Sequence, residues 1–231
     1  QTGDFFPFNT TGPVADELAA FPVDSTTSRF RGRVWDVLTD SVTIGDYTVE
    51  RDYVAHTGAV AVIALDDLER VYLLRQYRHP VGMYLFEPPA GLLDVDDEPA
   101  WQTAARELAE EAGLEASSWS TLVDFFNSPG GSSEAIRVYL ARGVTDREGG
   151  RIQTGEAEEI DLPGCWIPID DAVSLILQGQ LGNPTAVVGV LAVAEARRMG
   201  WTTLRPVDAP WPVRDNLMAT ARVRTYFAPR L

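Results

Sequence analysis

Between residues 29 and 37 (RFRGRVWDV) apolar and polar positions alternate, the period of a half-buried strand. Residues 42–44 and 47–49 flank Gly45-Asp46, the composition of a hairpin turn. A second strand group is read in 54–65 (VAHTGAVAVIAL) and 70–79 (RVYLLRQYRH), joined by the acidic turn Asp66-Asp67-Leu68-Glu69. After an aromatic, proline-rich stretch at 81–89, the period changes. Ala100, Trp101, Ala104, Ala105, Leu108 and Ala112 recur at helical spacing. Pro99 suits the first turn of that helix, Asp96, Asp97 and Glu98 suit its positive end, and Gly113 suits its C-terminal cap. Further strands are expected at 121–126, 135–141 and 165–168, with a last helix pair at 170–178 and 185–199. Residues 1 to about 28 read as an arm, and the pattern assigns nothing to 205–231. Strands before, between and after helices, without a regular βαβ rhythm, predict an α/β fold: a mixed sheet with helices on both faces.

Composition narrows the chemistry. The chain has 231 residues, 45% hydrophobic and 23% charged, an ordinary globular balance that can build a core without disulfides or a structural metal. The single cysteine, Cys165, excludes an intramolecular disulfide framework and a Cys-based zinc site, and two histidines, His56 and His79, leave little for a His-rich metal centre. All 19 basic residues are arginine, against 34 Asp plus Glu, for a net charge of −15. Such a surface argues against nucleic acid or an anionic membrane as partner, and the lack of lysine rules out P-loop and Schiff-base lysine chemistry. An anionic substrate would need a few arginines or bound cations to overcome this field. No apolar run approaches the ~18 residues of a membrane-spanning helix, and the stretch 1–24 is acidic where a secretory signal is basic, so a cytoplasmic location is expected.

The helix at 99–112 breaks a local rule. Glu107 faces both Glu110 and Glu111, like charges that destabilise an isolated helix by roughly 0.2–0.5 kcal/mol per pair, near the negative end of the helix dipole. Functional sites are where such breaks are expected. A hard divalent cation, which prefers carboxylate oxygens, is one compensation, and a solvated acidic face is the other.

Read in full, Gly91-LLDVDD-Glu98-PAWQTAA-Arg106-Glu107-Leu108-Ala109-Glu110-Glu111-Ala112-Gly113-Leu114 resembles the signature of the Nudix hydrolase family: Gly, five residues, Glu, seven residues, then R-E-U-x-E-E-x-G-U with U apolar. The match is complete from Glu98 onward. Six residues, not five, separate Gly91 from Glu98, so either the loop carries an insertion or Asp97 takes the acidic place. The resemblance implies a Nudix-type α/β/α sandwich and a hydrolase of nucleoside diphosphates linked to another group. It implies that Glu107 and Glu111 bind two or three Mg²⁺ or Mn²⁺ ions with help from Glu110, and that Arg106 orients the cluster by pairing with a carboxylate. Cations bridging a diphosphate would also reconcile a −15 protein with an anionic substrate.

Features outside the signature look like the ADP-ribose pyrophosphatase branch. Glu87-Pro88-Pro89-Ala90-Gly91 is similar to its E-x-P-A-G, which implies the Ala90 carbonyl as a metal ligand. Arg75-Gln76-Tyr77-Arg78 resembles its R-Q-Y-R, which implies Arg78 near the substrate diphosphate; a structural ion pair at a strand end is the plainer alternative. Arg51 holds a similar place in the branch pattern, and the resemblance implies that it reaches substrate across a dimer interface. Ser128-Pro129-Gly130-Gly131-Ser132-Ser133-Glu134 looks like S-P-G-x-S-x-E, with Glu134 a candidate contact. The acidic loop Gly155-Glu156-Ala157-Glu158-Glu159-Ile160 resembles the one that supplies the branch's general base, Glu156 or Glu158. The likeness extends through Trp166–Asp170 and Gly182-Asn183-Pro184 and covers about residues 29–200. The implied organisation is an N-terminal arm and strands over 1–55 exchanged in a homodimer, a hydrolase domain over 56–204, and a tail over 205–231. The implied reaction is Mg²⁺-dependent hydrolysis of ADP-ribose to AMP and ribose 5-phosphate. Other readings are a hydrolase of GDP-mannose or flavin-adenine dinucleotide, a non-catalytic ADP-ribose sensor, and an acidic scaffold.

Overall fold

The computed structural model describes residues 14–95, 97–152 and 162–222. Strands β1 (Val23–Arg31), β2 (Asp36–Ile44) and β3 (Tyr47–Ala55) form an antiparallel sheet in chain order. The expected hairpin is present: Ile44 opposes Tyr47, and Gly45 takes φ 60°, a left-handed value that favours glycine. The alternation at 29–37, however, spans two strands. The chain turns between them, with the Gly32 N–H bonded to the Trp35 carbonyl at 2.9 Å, and a Cβ on Gly32 would stand 2.4 Å from that oxygen. A reversal that preserves the alternating phase is invisible to a period-two reading. β1 also begins inside the expected arm; it is exposed along its whole length, so no apolar alternation marks it.

The central sheet has the order β7-β4-β9-β8, from β4 (Ala59–Ala64), β7 (Ala90–Leu92), β8 (Leu114–Phe126) and β9 (Ala135–Asp146). β4 runs parallel to β9, and the other pairs are antiparallel, which makes the sheet mixed. β8 and β9 are longer than expected because their outer halves carry exposed polar residues without an apolar rhythm. A third sheet orders β10 (Gly164–Pro168), β5 (Arg70–Arg78) and β6 (Met83–Glu87).

β4 is covered on both faces, which explains why it reads as a continuous apolar run. Ala61 and Ile63 point into one core with Val138, Leu140, Val190 and Val193, while Val60, Val62 and Ala64 point into another with Ala104, Leu108 and Tyr139. Each buried aliphatic side chain contributes about 1.5–3 kcal/mol. α2 (Ile169–Leu177) and α3 (Pro184–Arg198) supply the first core. α3 approaches the sheet so closely that a Cβ on Gly189 would lie 2.7 Å from Ile63 Cδ1. α1 (Ala100–Glu107) supplies the second core, giving the α/β/α layers that the sequence predicts.

The signature helix differs in detail. Pro99 precedes the helix as its cap residue, and after Glu107 the α-helix widens into a π-helical turn over Leu108–Ala112, closed by Gly113 at φ 66°. Such turns recur at functional sites. The segment after α3 returns to the sheet: Arg205 and Thr121 exchange backbone hydrogen bonds of 3.0 and 3.1 Å, Trp211 enters the second core, and α4 (Pro212–Ala219) follows. Among the described residues no helix is long and apolar enough to cross a membrane.

Candidate active site

Arg106, in the last turn of α1, organises the acidic residues. Its Nη1 donates to Glu107 Oε1 at 2.8 Å and to Glu110 Oε2 at 2.9 Å, while Nε and Nη2 donate to Glu98 at 3.3 Å each. Burial works against the guanidinium charge, yet the three carboxylates hold it more firmly than in a free arginine. Glu98 also accepts from Thr103 Oγ1 at 2.8 Å. Burial opposes its charge, but the Arg106 and Thr103 hydrogen bonds and the Arg106 charge outweigh that and hold its carboxyl below the usual range. Of the two readings of the spacing, these contacts favour Glu98 in the acidic place, and Asp97 before it is left-handed at φ 61°.

Glu107 and Glu111 are both buried against the start of the signature. The Ala90 N–H donates to Glu111 Oε2 at 2.9 Å. A Cβ on Gly91 would stand 2.1 Å from Glu107 Oε1, so only glycine lets the carboxylate lie on this backbone. The strand residues 90–91 and two glutamates of the π-turn segment thus meet in one place. Among the described residues no three His, Cys, Asp or Glu side chains stand as a ready-made metal cage: Arg106 holds Glu107 and Glu110, and Ala90 holds Glu111. The donors are nonetheless hard oxygens, the set that Mg²⁺ and Mn²⁺ choose, and the close approach at Gly91 gathers them, so the residues fit such an ion.

Arg78 ends β5 beside this place. Its Nε donates to Glu87 Oε2 at 3.2 Å and its Nη2 lies 2.9 Å from Oε1, an ion-pair contact without hydrogen-bond alignment. Glu87 is only 3% exposed; burial pushes its carboxyl above the usual range, and Arg78 only partly offsets this. Glu87 also accepts from Asn183 Nδ2 at the start of α3. Ala90 follows Glu87 by three positions, a span of at most roughly 11 Å, so Arg78 belongs to the same neighbourhood. The ion pair foreseen as the plainer reading of Arg78 is therefore present, and among the described residues it uses Nε and Nη2.

The loop 127–134 docks on the end of β3. Val54 bonds to Gly131, and the His56 N–H donates to Ser133 Oγ at 3.0 Å. His56 Nδ1 accepts the Gly58 N–H at 3.0 Å, and Nε2 faces Glu134 Oε1 at 3.5 Å. Burial lowers the His56 pKa, with Glu134 opposing, which favours a neutral ring whose Nε2–H points at Glu134. Asn127 also donates to Glu134 at 2.8 Å. Arg51 lies on β3 opposite Asp40, its Nη1 on the Glu50 carbonyl, in a sheet separate from the acidic cluster. Glu156 and Glu158 lie outside the described residues.

Three polar residues escaped the sequence reading as contributors: Glu87 and Asn183, quoted within motifs but given no role, and His56, weighed only as a metal ligand. A glutamate between aromatic and proline residues in an otherwise apolar stretch was the available signal for Glu87; nothing local marks the other two.

The NUDIX domain profile matches residues 55–187. The chain is 43% identical over 203 residues to an ADP-ribose pyrophosphatase of Mycobacterium tuberculosis, covering 87% of this chain and 96% of that protein. It is 33% identical over 148 residues to an ADP-ribose pyrophosphatase of Bacillus subtilis, covering 64% and 78%. A crystal structure of an ADP compounds hydrolase superposes with a TM-score of 0.66 at 21% identity, covering 80% of this chain and 99% of that one, a likeness of fold. Nudix hydrolases generally use a divalent metal, in keeping with the oxygen donors gathered at Ala90 and the acidic cluster. The chain belongs to the NUDIX family and is a Nudix pyrophosphohydrolase.

Proposed function

We propose that this enzyme hydrolyses the diphosphate of ADP-ribose to AMP and ribose 5-phosphate with Mg²⁺ or Mn²⁺. The observation that carries this reading is the meeting of the Ala90-Gly91 backbone with Glu107 and Glu111 beside an arginine-held acidic cluster. The ADP-ribose pyrophosphatases among its relatives support the choice of nucleotide.

In this reading the Ala90 carbonyl, Glu107, Glu110 and Glu111 would hold two or three ions. When bound, these neutralise diphosphate charge and make water more acidic. Arg106 is the counter-charge that keeps adjacent glutamates on one side of the helix, anchored through Glu98. Arg78 presents Nη1 to a diphosphate oxygen, where a planar guanidinium is well matched to phosphate. Glu134, oriented by Asn127 and His56, receives a substrate hydroxyl. Glu156 or Glu158 takes the proton of the water that attacks phosphorus as the bridging P–O bond breaks, as general-base catalysis requires.

The same reading includes a cytoplasmic homodimer. β1 is exposed throughout, and Phe30, Trp35 and Tyr47 are exposed around its sheet, the kind of surface a second copy covers. Exchange of this sheet would carry Arg51 to the partner's substrate. Incubation with ADP-ribose and Mg²⁺, with products separated by ion-exchange chromatography, tests the activity. The expected outcome is AMP and ribose 5-phosphate in equal amounts, and none after chelation. Intact ADP-ribose alongside cleaved GDP-mannose would overturn the substrate assignment.

A further inference from the structure

A chain of hydrogen bonds runs from the core helix α3 to the exposed side of the site. Asn183 caps α3: its Oδ1 accepts the Ala186 N–H at 3.0 Å and the Thr185 hydroxyl at 2.5 Å. Those two donors occupy the carbonyl end of the amide, so its NH₂ end must face the other way. There it donates to Glu87 Oε2 at 2.5 Å. Glu87 in turn holds Arg78 through Nε and Nη2. Asn183 and Glu87 are both buried, whereas the Arg78 side chain is 46% exposed.

Capping does not explain the choice of asparagine. Serine and aspartate cap equally well, but serine is too short to reach Glu87, and aspartate would set a second carboxylate against a buried one. The amide is the one side chain of this group that caps the helix and donates to Glu87. The other end of the relay is rigid, because Ala186, Val190 and Val193 of α3 are fully buried against the sheet. A long, half-exposed arginine is thereby tied to the core.

We propose that Asn183 is a positioning residue for substrate binding: acting through Glu87, it fixes the guanidinium of Arg78 where the diphosphate is received. This rests on the reading of Arg78 as a phosphate contact. Asn183 touches no substrate itself, so its loss weakens binding more than it slows chemistry.

The test is a double-mutant cycle on the full chain, with kcat and KM for ADP-ribose measured for wild type, Asn183→Ser, Arg78→Gln and the double variant. Thermal unfolding of each confirms that the protein assayed is folded. Asn183→Ser is expected to raise KM about tenfold with kcat changed less than about twofold. In the Arg78→Gln background the same substitution is expected to add nothing, since a relay acting through Arg78 has lost its target. Asn183→Asp, which also caps, is expected to raise KM further than serine does. A wild-type KM in Asn183→Ser and Asn183→Asp, or an Asn183→Ser effect that multiplies with that of Arg78→Gln, would reduce Asn183 to a helix cap and overturn the proposal alone. An unchanged KM in Arg78→Gln would overturn the phosphate reading of Arg78 and the relay with it.

Discussion

Two arginines, Arg106 and Arg137, each anchor an ion-pair cluster, and the two clusters are balanced in opposite senses. Arg137 is buried to 3% exposure, makes paired hydrogen bonds of 2.7 and 2.9 Å to Asp124, donates to the Ala209 and Pro210 carbonyls, and lies 4.6 Å from the Trp211 ring centre. Asp124 is shared with a second arginine, Arg205, at 2.9 Å. Two guanidiniums there share one carboxylate, and the Ala209 and Pro210 carbonyls of the returning segment also accept from Arg137. Arg106, at 28% side-chain exposure, faces Glu98, Glu107 and Glu110, with Glu111 on the next turn position. Negative charge is in surplus at that cluster. The first arrangement is what a buried ion pair needs in order to persist. In the proposed reading a cation completes the second, so that the imbalance, more than the abundance of acids in a −15 chain, would distinguish the site from the scaffold.

Substitutions should separate the two clusters. Glu107→Gln removes a proposed ligand but keeps the shape packed on Gly91; hydrolysis should fall by about 10³-fold while the melting temperature moves by only a few degrees. A loss of folding in place of activity would make Glu107 a structural residue. Arg137→Ala should do the reverse. Leaving buried partners unmatched costs about 3–5 kcal/mol, a fall of roughly 6–20 °C in melting temperature for a chain of this size, with kcat at 25 °C within about twofold of wild type.

Between these lies Glu98. Glu98→Gln weakens the anchor of Arg106 and should lower activity about 10–100-fold, whereas Asp97→Asn should change little, since asparagine tolerates the left-handed conformation at φ 61°. Equal effects at the two positions would contradict the assignment of Glu98 to the acidic place. The smallest effect concerns His56. Because burial holds its folded-state pKa below the ordinary 6.5, the unfolded chain binds a proton first. Its contribution to stability is present above pH 6.5 and is lost as pH falls below it, with a slope under about 1.4 kcal/mol per pH unit. Denaturant titrations at pH 7.5 and 5.5 should show that loss in wild type and a smaller one in His56→Asn.

Much of this site could be read from the chain because it is local. The glutamates, Arg106 and the Gly113 cap lie within one helical segment, and like charges at helical spacing are visible without a fold. The buried strand β4 and the Gly45 turn are local in the same way. The spacing between Gly91 and Glu98 was legible as an anomaly, but its resolution needed the backbone angle of Asp97. The Arg137 cluster and the Asn183–Glu87 bond were not legible. The latter joins residues 96 positions apart, and no single-chain periodicity records such a pairing. β1 and the outer half of β8 were missed because exposed polar strands carry no apolar rhythm, and the π-helical turn was missed because its residues suit an ordinary α-helix equally well.

Calorimetric titration of Mn²⁺ into wild type, Arg137→Ala and the Glu107→Gln/Glu111→Gln double variant, all without substrate, addresses the charge imbalance most directly. Saturable binding to wild type and to folded Arg137→Ala, abolished in the double variant, is the result expected. Equal binding to the double variant, or no binding to wild type, would contradict the account.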